Sequence, residues 1–396
     1  MSGSMGLGHA VRDLAIAEEL RREAPEVAVT WLAGGAARMA IEEAGGKLHP
    51  RADDFPGLDE AAEAAANGFE LRLGDYGTHA VEVWRQHYAL FRQIVATDRY
   101  DLIVGDETYE IWFPLHDEPA ALPCPFVMVY DFVGLGRVGL RQRLARTHDW
   151  FNERQATDHL LMARTGSRVV FVGELEDITF DHFGVAMPRM RRYAERHYTI
   201  VGHVLRFDPR DYRDPAETKR RLGYGDEPLI IAAVGGTAVG KALLELCGAA
   251  YPLVVGERPR ARMVLVCGPR LSPDAISVPQ GVTVLRYVPR LYEHFAAADL
   301  AITQGGGSST AELTALGRPF LYFPLTGHEE QRAIVAARQS RLGAGVELDF
   351  AQTGPRELAR AVIEHLSEEV SYPTIDSGGA RKVAHIIAVM LDSRRE

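Results

Sequence analysis

The chain has 396 residues, 46% of them hydrophobic and 25% charged, and a formal net charge of −10. This composition is typical of a globular protein, and the length suits two α/β domains. Because nucleic acid binding requires a basic surface, the acidic balance disfavours nucleic acid as a partner.

The cysteines are few, far apart and set in apolar runs: Cys124, Cys247 and Cys267. We expect them to be reduced core residues, and the cytoplasm is the expected compartment. No apolar stretch approaches the ~20 residues that a membrane helix needs, and no signal peptide begins the chain. We therefore expect no transmembrane segment.

A glycine-rich loop, SGSMGLGH at residues 2–9, leads into an amphipathic helix near the start of the chain. A helix dipole lowers the proton affinity of a histidine at the N-terminus, so we expect a neutral imidazole at His9. His9 is therefore the candidate general base. The alternative is a histidine that only caps the loop or packs against it.

The segment before this loop is shorter than a Rossmann-like domain requires. Such a domain begins with an apolar strand of about five residues, and only MSGSM precedes Gly6. We expect the first strand to be missing, which would leave backbone groups unpaired and the His9 loop poorly anchored. Our hypothesis is a start codon assigned too far downstream. An intact-mass measurement on natively expressed protein that finds Met1 or Ser2 at the terminus would contradict it.

Apolar runs of strand length alternate with helical segments, without internal repeats. The predicted strands are residues 27–32, 101–105, 125–131, 168–173, 198–202, 229–234, 262–267, 282–288, 299–303 and 320–324. This alternation predicts the α/β class. A charged stretch with two prolines at 207–215 is typical of an interdomain linker, and we place the boundary near Asp211.

The most informative segment is ADLAITQGGGSSTAELTALGRPFLYFPLTGHEEQR at residues 298–332. A buried strand is followed by three glycines, where the backbone can approach a ligand, and then by three hydroxyl residues suited to N-cap a helix. The amides and dipole of that helix attract a diphosphate without a metal. Glu312, in the first helical turn, is placed to accept hydroxyl donors from a ribose. A purely structural turn is the alternative.

This order of glycine loop, helix carboxylate and polar turn resembles the C-terminal half of GT-B glycosyltransferases. It is most similar to the family-28 group, which includes the peptidoglycan N-acetylglucosaminyltransferase that makes lipid II. The resemblance covers most of the chain and implies an α/β protein with two Rossmann-like domains facing across a cleft, here without the first N-terminal strand. Residues 1–210 would bind the acceptor, residues 211–375 would bind a nucleotide sugar, and a helix in 376–396 would cross back to the first domain.

The resemblance also implies a role for each donor-site residue. The glycine loops and helix start would hold the diphosphate, Glu312 the ribose, Glu330 and Gln331 the sugar hydroxyls, and a backbone edge the nucleobase. The implied donor site is Gly235, Gly236, Thr237, Tyr287, Val288, Gly305, Gly306, Gly307, Ser308, Ser309, Thr310, Glu312, His328, Glu330 and Gln331.

The predicted acceptor half carries weaker signals. The stretch VGDETYEIW at 104–112 leaves a strand with three carboxylates, so Asp106 or Glu107 could orient His9 or bind acceptor hydroxyls. Asp106 is our second catalytic candidate, and Asp131 carries a similar hypothesis. A solvated turn is the alternative.

Two basic runs could touch an anionic acceptor or lipid headgroup, although a solvated helix face is the favoured explanation. They are Arg137, Arg141, Arg143 and Arg146, and Arg189, Arg191 and Arg192.

The reaction implied by the resemblance is an inverting glycosyl transfer from a nucleotide diphosphate sugar, with uridine favoured as the nucleoside. The acceptor would be a small molecule, a glycan or a lipid-linked group, and peripheral membrane contact stays open. No histidine pair has zinc-site spacing and no DxD motif is present, so we expect no metal site and no cofactor beyond the donor.

Two alternative functions remain. One is a nucleotide-sugar hydrolase, to which the GLGHxxRxxAxA pattern at 6–17 is also similar, and the other is a catalytically inactive nucleotide-sugar-binding protein.

Overall fold

A computed structural model of the chain describes residues 1–2, 6–136 and 142–394, without the side chains of 73, 74 and 142–145. The residues form two compact units. The first comprises Met1–Ala61, Gly74–Arg206 and Asp376–Glu396, and the second comprises Ala62–Leu73 and Phe207–Ile375. Each unit is a parallel β-sheet with helices, as the α/β prediction requires.

The α-helices in chain order are α1 Gly8–Glu23, α2 Gly35–Glu43, α3 Asp59–Ala64, α4 Leu73–Thr97, α5 Tyr109–Leu115, α6 Gln142–Ala156, α7 Asp158–Thr165, α8 Met190–His197, α9 Pro215–Arg221, α10 Lys241–Glu257, α11 Leu291–Ala297, α12 Gly307–Leu316, α13 Ala336–Leu342, α14 Pro355–His365 and α15 Gly379–Asp392. The strands are β1 Ile103–Asp106, β2 Phe126–Tyr130, β3 Arg168–Val172, β4 Thr199–Gly202, β5 Leu229–Ala233, β6 Arg262–Val266, β7 Thr283–Leu285, β8 Leu300–Gln304, β9 Phe320–Phe323 and β10 Val346–Glu347.

The first unit is built on a parallel sheet of order β1-β2-β3-β4. The expectation that unpaired backbone would lie beside β1 is wrong. Ser2 forms parallel bridges with both Asp106 and Ala33, and the Asp106 N–H donates to the Met1 carbonyl at 3.2 Å. Residues 27–32, predicted as a strand, form one isolated bridge, from Trp31 to Leu48, and Ala33 just beyond them bridges Ser2.

Helix α15 packs on the first unit although it ends the chain. Its apolar residues, including Val383 and Ile387, share a core with Ile16 and Leu20 of α1 and with inward residues of β2 and β3. An amphipathic helix buries its apolar stripe against the nearest apolar surface, which here belongs to α1. The helix thereby packs against the element that carries His9.

The second unit contains a six-stranded parallel sheet of order β10-β9-β8-β5-β6-β7. Strands β5, β8 and β9 are buried along their whole length, which explains their continuous apolar sequences. The chain order reverses between β5 and β8. Open α/β sheets bind ligands at the carboxyl ends of the strands beside such a switch point, where the predicted donor loops begin.

Residues 62–73, which we call the arm, belong to the second unit although they precede β1 in sequence. The Leu71 N–H donates to the Thr326 carbonyl at 2.8 Å, and Phe69 stacks on Phe350 with ring centroids 4.4 Å apart. Gly327 has φ +80°, and a Cβ there would lie 2.2 Å from the Leu71 carbonyl oxygen. Glycine is therefore required where the arm meets the loop after β9.

One helical stretch in the described residues, Ala238–Glu257, is long and apolar enough to cross a membrane by length and composition, contrary to our expectation. Half of it is buried within the protein, and α10, which forms most of it, packs on α14. The core helix of an ordinary globular domain has the same properties. All three cysteines are buried and unbridged, as predicted.

Candidate active site

His9 lies in the first turn of α1 and is held from the end of β1. Its Nδ1 is 3.0 Å from Asp106 Oδ1, and the Asp106 side chain is fully buried. Arg12, one turn further along α1, donates to both oxygens of Asp106 and, at 2.7 Å, to Asp131 Oδ2 at the end of β2. The structure thus brings both catalytic candidates together and adds Arg12 between the two carboxylates.

The tautomer of His9 depends on which neighbour its Nδ1 serves. Asp106 Oδ1 can only accept a hydrogen bond, whereas Arg12 Nη2, 2.8 Å from the same nitrogen, can only donate. A proton on Nδ1 gives a charge-assisted bond to the ionised carboxylate, and Arg12 already has three carboxylate contacts, so we assign Nδ1–H. This assignment leaves Nε2 with a lone pair.

The expectation that the helix dipole would lower the proton affinity of His9 is wrong. Burial disfavours the imidazolium, but the charge of Asp106 and the hydrogen bond to it outweigh burial and raise the pKa of His9 above 6.5. Arg12 opposes this increase. A carboxylate in direct contact acts over a shorter distance than a helix terminus, so it determines the direction.

Glu107 and Asp131 complete the cluster around His9. Burial and then the charge of Asp131 raise the pKa of Glu107 well above its ordinary value. Burial also disfavours the Asp131 carboxylate, yet Arg12, Glu107 and His9 together outweigh it and hold the pKa of Asp131 well below its usual range. Glu107 has the rare φ of +47° and places Oε2 3.8 Å from His9 Nε2. Such strain is frequent at functional sites.

The same cluster contains the atoms of a candidate metal site. Ligand atoms of His9, Glu107 and Asp131 all lie within 4.8 Å of one another. We expected no metal site from the sequence, because no histidine pair has zinc-site spacing and no DxD motif is present. Two features disfavour an ion here: Arg12 already pairs with Asp131, and the raised pKa of Glu107 favours its protonated form.

The loop that carries His9 is anchored by Asp59, contrary to the expectation of a poorly held loop. The Gly6 N–H donates to Asp59 Oδ1 at 2.9 Å, and the Ala36 N–H in the first turn of α2 donates to Oδ2 at 2.8 Å. Asp59 is buried. Its carboxylate therefore joins the glycine loop to α2, and residues 3–5 of the predicted loop lie outside the described residues.

In the second unit, two predicted donor loops meet beside the switch point. The loop Gly235, Gly236, Thr237 follows β5, and the glycine triplet follows β8. Gln304, the last residue of β8, accepts the Gly235 N–H at 3.1 Å and so joins the two loops. Gly268, after β6, has φ +80°, and a Cβ there would lie 2.6 Å from the Gly235 carbonyl oxygen.

The predicted N-cap of α12 is wrong. Gly306 is the N-cap, Gly307 begins the helix, and no side chain caps it. Ser308 and Ser309 lie in the first turn, whereas the Thr310 hydroxyl donates back to the Gly306 carbonyl at 2.9 Å. Because no side chain caps them, the first amides of α12 remain suited to an anionic ligand.

Glu312 lies in the second turn of α12 rather than the first, and its side chain is buried. Glu330 and Gln331 begin a π-helix, Glu330–Val335, a form that is frequent at functional sites. Gln331 Oε1 accepts the Leu325 N–H at 2.8 Å, so this oxygen already has a backbone donor. His328 and Glu330 are half-buried beside these residues.

The predicted nucleobase edge, Tyr287 and Val288, follows β7 and is half-buried. One strand away, the Gly268 N–H donates to the Arg286 carbonyl at 3.0 Å, so the ladder between β6 and β7 continues beyond the strands. The structure therefore places this edge at the same carboxyl side as the other donor loops.

The arm contributes a side chain to the first donor loop. Glu63 accepts the Ala238 N–H at 3.0 Å and two bonds from Arg270 at 2.7 and 2.8 Å. The hydrogen bonds from Arg270 outweigh burial and lower the pKa of Glu63. The carboxylate thus fixes the start of the segment that enters α10.

Four residues of these two sites were not predicted from the sequence, namely Arg12, Asp59, Glu63 and Gln304. Arg12 appeared only as part of a pattern, and the others carry no local motif. The end of a buried strand was the available signal for Gln304. Of the predicted basic runs, Arg137 and Arg141 lie outside the described residues, as does the side chain of Arg143, and Arg191 donates to the Ile178 carbonyl at 3.0 Å.

Comparison with known proteins finds a family match in the second half of the chain. Residues 230–386 match the model described as "Glycosyltransferase family 28 C-terminal domain". This range contains every predicted donor residue. The predicted resemblance to family 28 is therefore confirmed for this half.

Among curated proteins, similar relatives are named UDP-N-acetylglucosamine--N-acetylmuramyl-(pentapeptide) pyrophosphoryl-undecaprenol N-acetylglucosamine transferase. The relative from Mycobacterium sp. (strain KMS) is 30% identical over 188 residues, which are 46% of this chain and 50% of the relative. The relative from Carboxydothermus hydrogenoformans is 30% identical over 159 residues, 38% of this chain and 42% of the relative. The chain thus spans about half the length of the curated relatives it matches, or less.

Solved structures resemble the whole chain. The glycosyltransferase of kitacinnamycin has a TM-score of 0.56 and 18% identity, with 98% of this chain and 97% of that chain covered. The glycosyltransferase SnogD from Streptomyces nogalater has a TM-score of 0.56 and 20% identity, with 98% of each chain covered. At such identities the likeness shows the fold, and the chain has the α/β two-domain GT-B fold that the sequence predicts.

Proposed function

We infer that this chain, in which residues 230–386 form a glycosyltransferase family 28 C-terminal domain, transfers a sugar from a nucleotide diphosphate donor to an acceptor hydroxyl. The observation that carries the proposal is the pairing of His9 with buried Asp106, with Nδ1 and Oδ1 3.0 Å apart. Such a pair provides a positioned general base, which an acceptor hydroxyl needs because its own pKa lies far above neutrality.

In the proposed reaction, His9 Nε2 takes the acceptor proton as the oxygen attacks the anomeric carbon. Asp106 stabilises the imidazolium that forms, as the carboxylate of a catalytic triad does. The new glycosidic bond forms while the bond from the anomeric carbon to the diphosphate oxygen breaks. A single displacement of this kind inverts the configuration.

Inversion is favoured over retention by the way the carboxylates are engaged. A retaining enzyme of the two-step type needs a carboxylate nucleophile free to attack the sugar. Here Arg12 binds both Asp106 and Asp131, and the raised pKa of Glu107 disfavours its ionised, nucleophilic form. These contacts leave His9 as the reactive group of the cluster.

The leaving diphosphate would bind the uncapped amides of α12, with Gly306, Gly307, Ser308 and Ser309 around it. We propose that the helix terminus and not a metal ion stabilises the departing charge. Glu312 would bind the ribose, Glu330 the sugar hydroxyls, and Gln331 would offer its amide N–H groups, since its oxygen already accepts from Leu325.

The names of the curated relatives favour UDP as the nucleotide and a pyrophosphoryl-undecaprenol group as a candidate acceptor. We propose a UDP-sugar donor, an acceptor that is a small molecule, a glycan or a lipid-linked group, and no cofactor other than the donor. We also propose a cytoplasmic location, supported by three buried, unbridged cysteines.

The test is diphosphate release from a panel of UDP- and dTDP-sugars, first without and then with a cell-extract acceptor pool. We expect acceptor-dependent release from the wild type, loss of release in His9→Ala, and no change in His385→Ala, which removes an exposed histidine of the same unit. Release at the same rate without acceptor would favour a nucleotide-sugar hydrolase. Donor binding without any release would favour an inactive nucleotide-sugar-binding protein.

A further inference from the structure

Arg338, in α13, is a buried cation that forms no ion pair with a carboxylate among the described residues. Its side chain is only 7% exposed, and Nη2 donates to the Gly307 carbonyl at 3.0 Å and to Thr310 Oγ1 at 3.3 Å. Both acceptors are neutral. Its Nε is buried and has no hydrogen-bond partner in the part of the chain that the structure describes.

A buried guanidinium with neutral partners is expensive, because desolvation of the charge is not offset by an opposite charge. Buried charges in folded proteins are normally paired, so an anion is expected to accompany this cation in the working protein. Glutamine would meet the same acceptors without a buried charge, whereas arginine always carries its proton.

The position of Arg338 indicates which anion this is. It contacts Gly307 and Thr310, the first and fourth residues of α12, whose first turn has no side-chain cap. A Cβ built on Gly307 would lie 3.8 Å from Arg338 Nη2, so the cation is next to the backbone that begins the helix. The uncapped amides and the buried cation therefore attract an anion to the same place.

We propose that Arg338 is a positioning residue for the diphosphate of the donor, an inference that rests on the proposed function. It fixes the Gly307 carbonyl, so that the first amides of α12 point to the phosphates, and a bound diphosphate supplies an anion next to its charge. During transfer the same charge favours the departing nucleotide diphosphate, whose negative charge increases as the bond to the sugar breaks.

The test compares the binding of UDP and uridine by calorimetry in the wild type and four variants. Arg338→Met and Arg338→Gln remove the charge, Arg338→Lys retains it, and Arg341→Met removes an exposed charge from the same helix. Glutamine can still donate to the Gly307 carbonyl, so it separates the hydrogen bond from the charge. Circular dichroism verifies folding, and if Arg338→Met does not fold, Arg338→Gln and Arg338→Lys decide the outcome.

We expect the Kd for UDP to rise about tenfold or more in Arg338→Met and Arg338→Gln, the scale of a lost charge interaction in a partly buried site. The rise should be about twofold in Arg338→Lys and absent in Arg341→Met. The Kd for uridine, which has no phosphate, should not change.

Three results would overturn the proposal. Unchanged UDP binding in the neutral Arg338 variants would remove the role of the charge. An equal loss of UDP and uridine binding would indicate a purely structural residue. Failure of the wild type to bind UDP would overturn the proposed function as well. Failure of the Arg338 proposal alone would leave UDP binding by the wild type intact, so the two failures can be distinguished.

Discussion

Replacement of Asp106 by asparagine tests how the base is activated. The change keeps the size of the side chain and removes the negative charge 3.0 Å from His9 Nδ1. In the wild type the pKa of His9 is raised above 6.5, so the imidazole becomes neutral only at higher pH. The value of kcat/KM should therefore rise with pH through this pKa. Because Asp106 causes the increase, the ascending limb of the Asp106→Asn profile should move to lower pH.

The rate should fall even where the imidazole is fully neutral. Two unit charges 3.0 Å apart attract by about 5 kcal/mol at an effective dielectric constant of about 20. Arg12 binds the same carboxylate and offsets part of this attraction. We therefore take the ~1.5–3 kcal/mol of a hydrogen bond to a charged group as the lost transition-state stabilisation. This loss corresponds to a roughly 10- to 160-fold fall in kcat.

The assay is steady-state diphosphate release with a saturating acceptor, measured from pH 5.5 to 9. Asp177→Asn is the matched control, because Asp177 is also buried in the same unit and lies 3.7 Å from a different histidine, His203. Thermal unfolding of both variants checks that the cluster remains folded. An Asp106→Asn enzyme with an unchanged kcat, or an ascending limb moved to higher pH, would refute the assignment of Asp106 as the partner of an active His9.

Three further results are expected. Glu63→Gln removes the charge that pairs with Arg270, so donor KM should rise several-fold with acceptor KM unchanged, and an equal change in both constants would contradict a role in the donor loop. Gly327→Ala should lower the free energy of unfolding in urea by about 1–3 kcal/mol because of its positive φ and the clash with the arm, whereas Gly256→Ala, which has free space, should not. Dialysis against EDTA should leave the initial rate unchanged, and a loss restored by Mg²⁺ would instead identify the cluster around His9 as a metal site.

The sequence by itself determined the architecture and the location of the donor loops. Strands such as β5, β8 and β9 are predicted from contiguous apolar residues. Glycines directly after such a strand indicate a loop whose backbone approaches a ligand. The end of α12 at Gly317, in the left-handed conformation before a proline, is equally local. These features depend on neighbouring residues, so a linear pattern contains their physical cause.

The tertiary structure alone decided the protonation and partners of the candidate base. Arg12 meets Asp106 and Asp131 across 94 and 119 residues of chain, and Arg338 meets Gly307 across 31. The dipole rule predicted a lowered pKa for His9, but a carboxylate at hydrogen-bond distance reversed it. Coulomb energies depend on separation in space and on burial, and neither quantity is encoded in the spacing of residues along the chain.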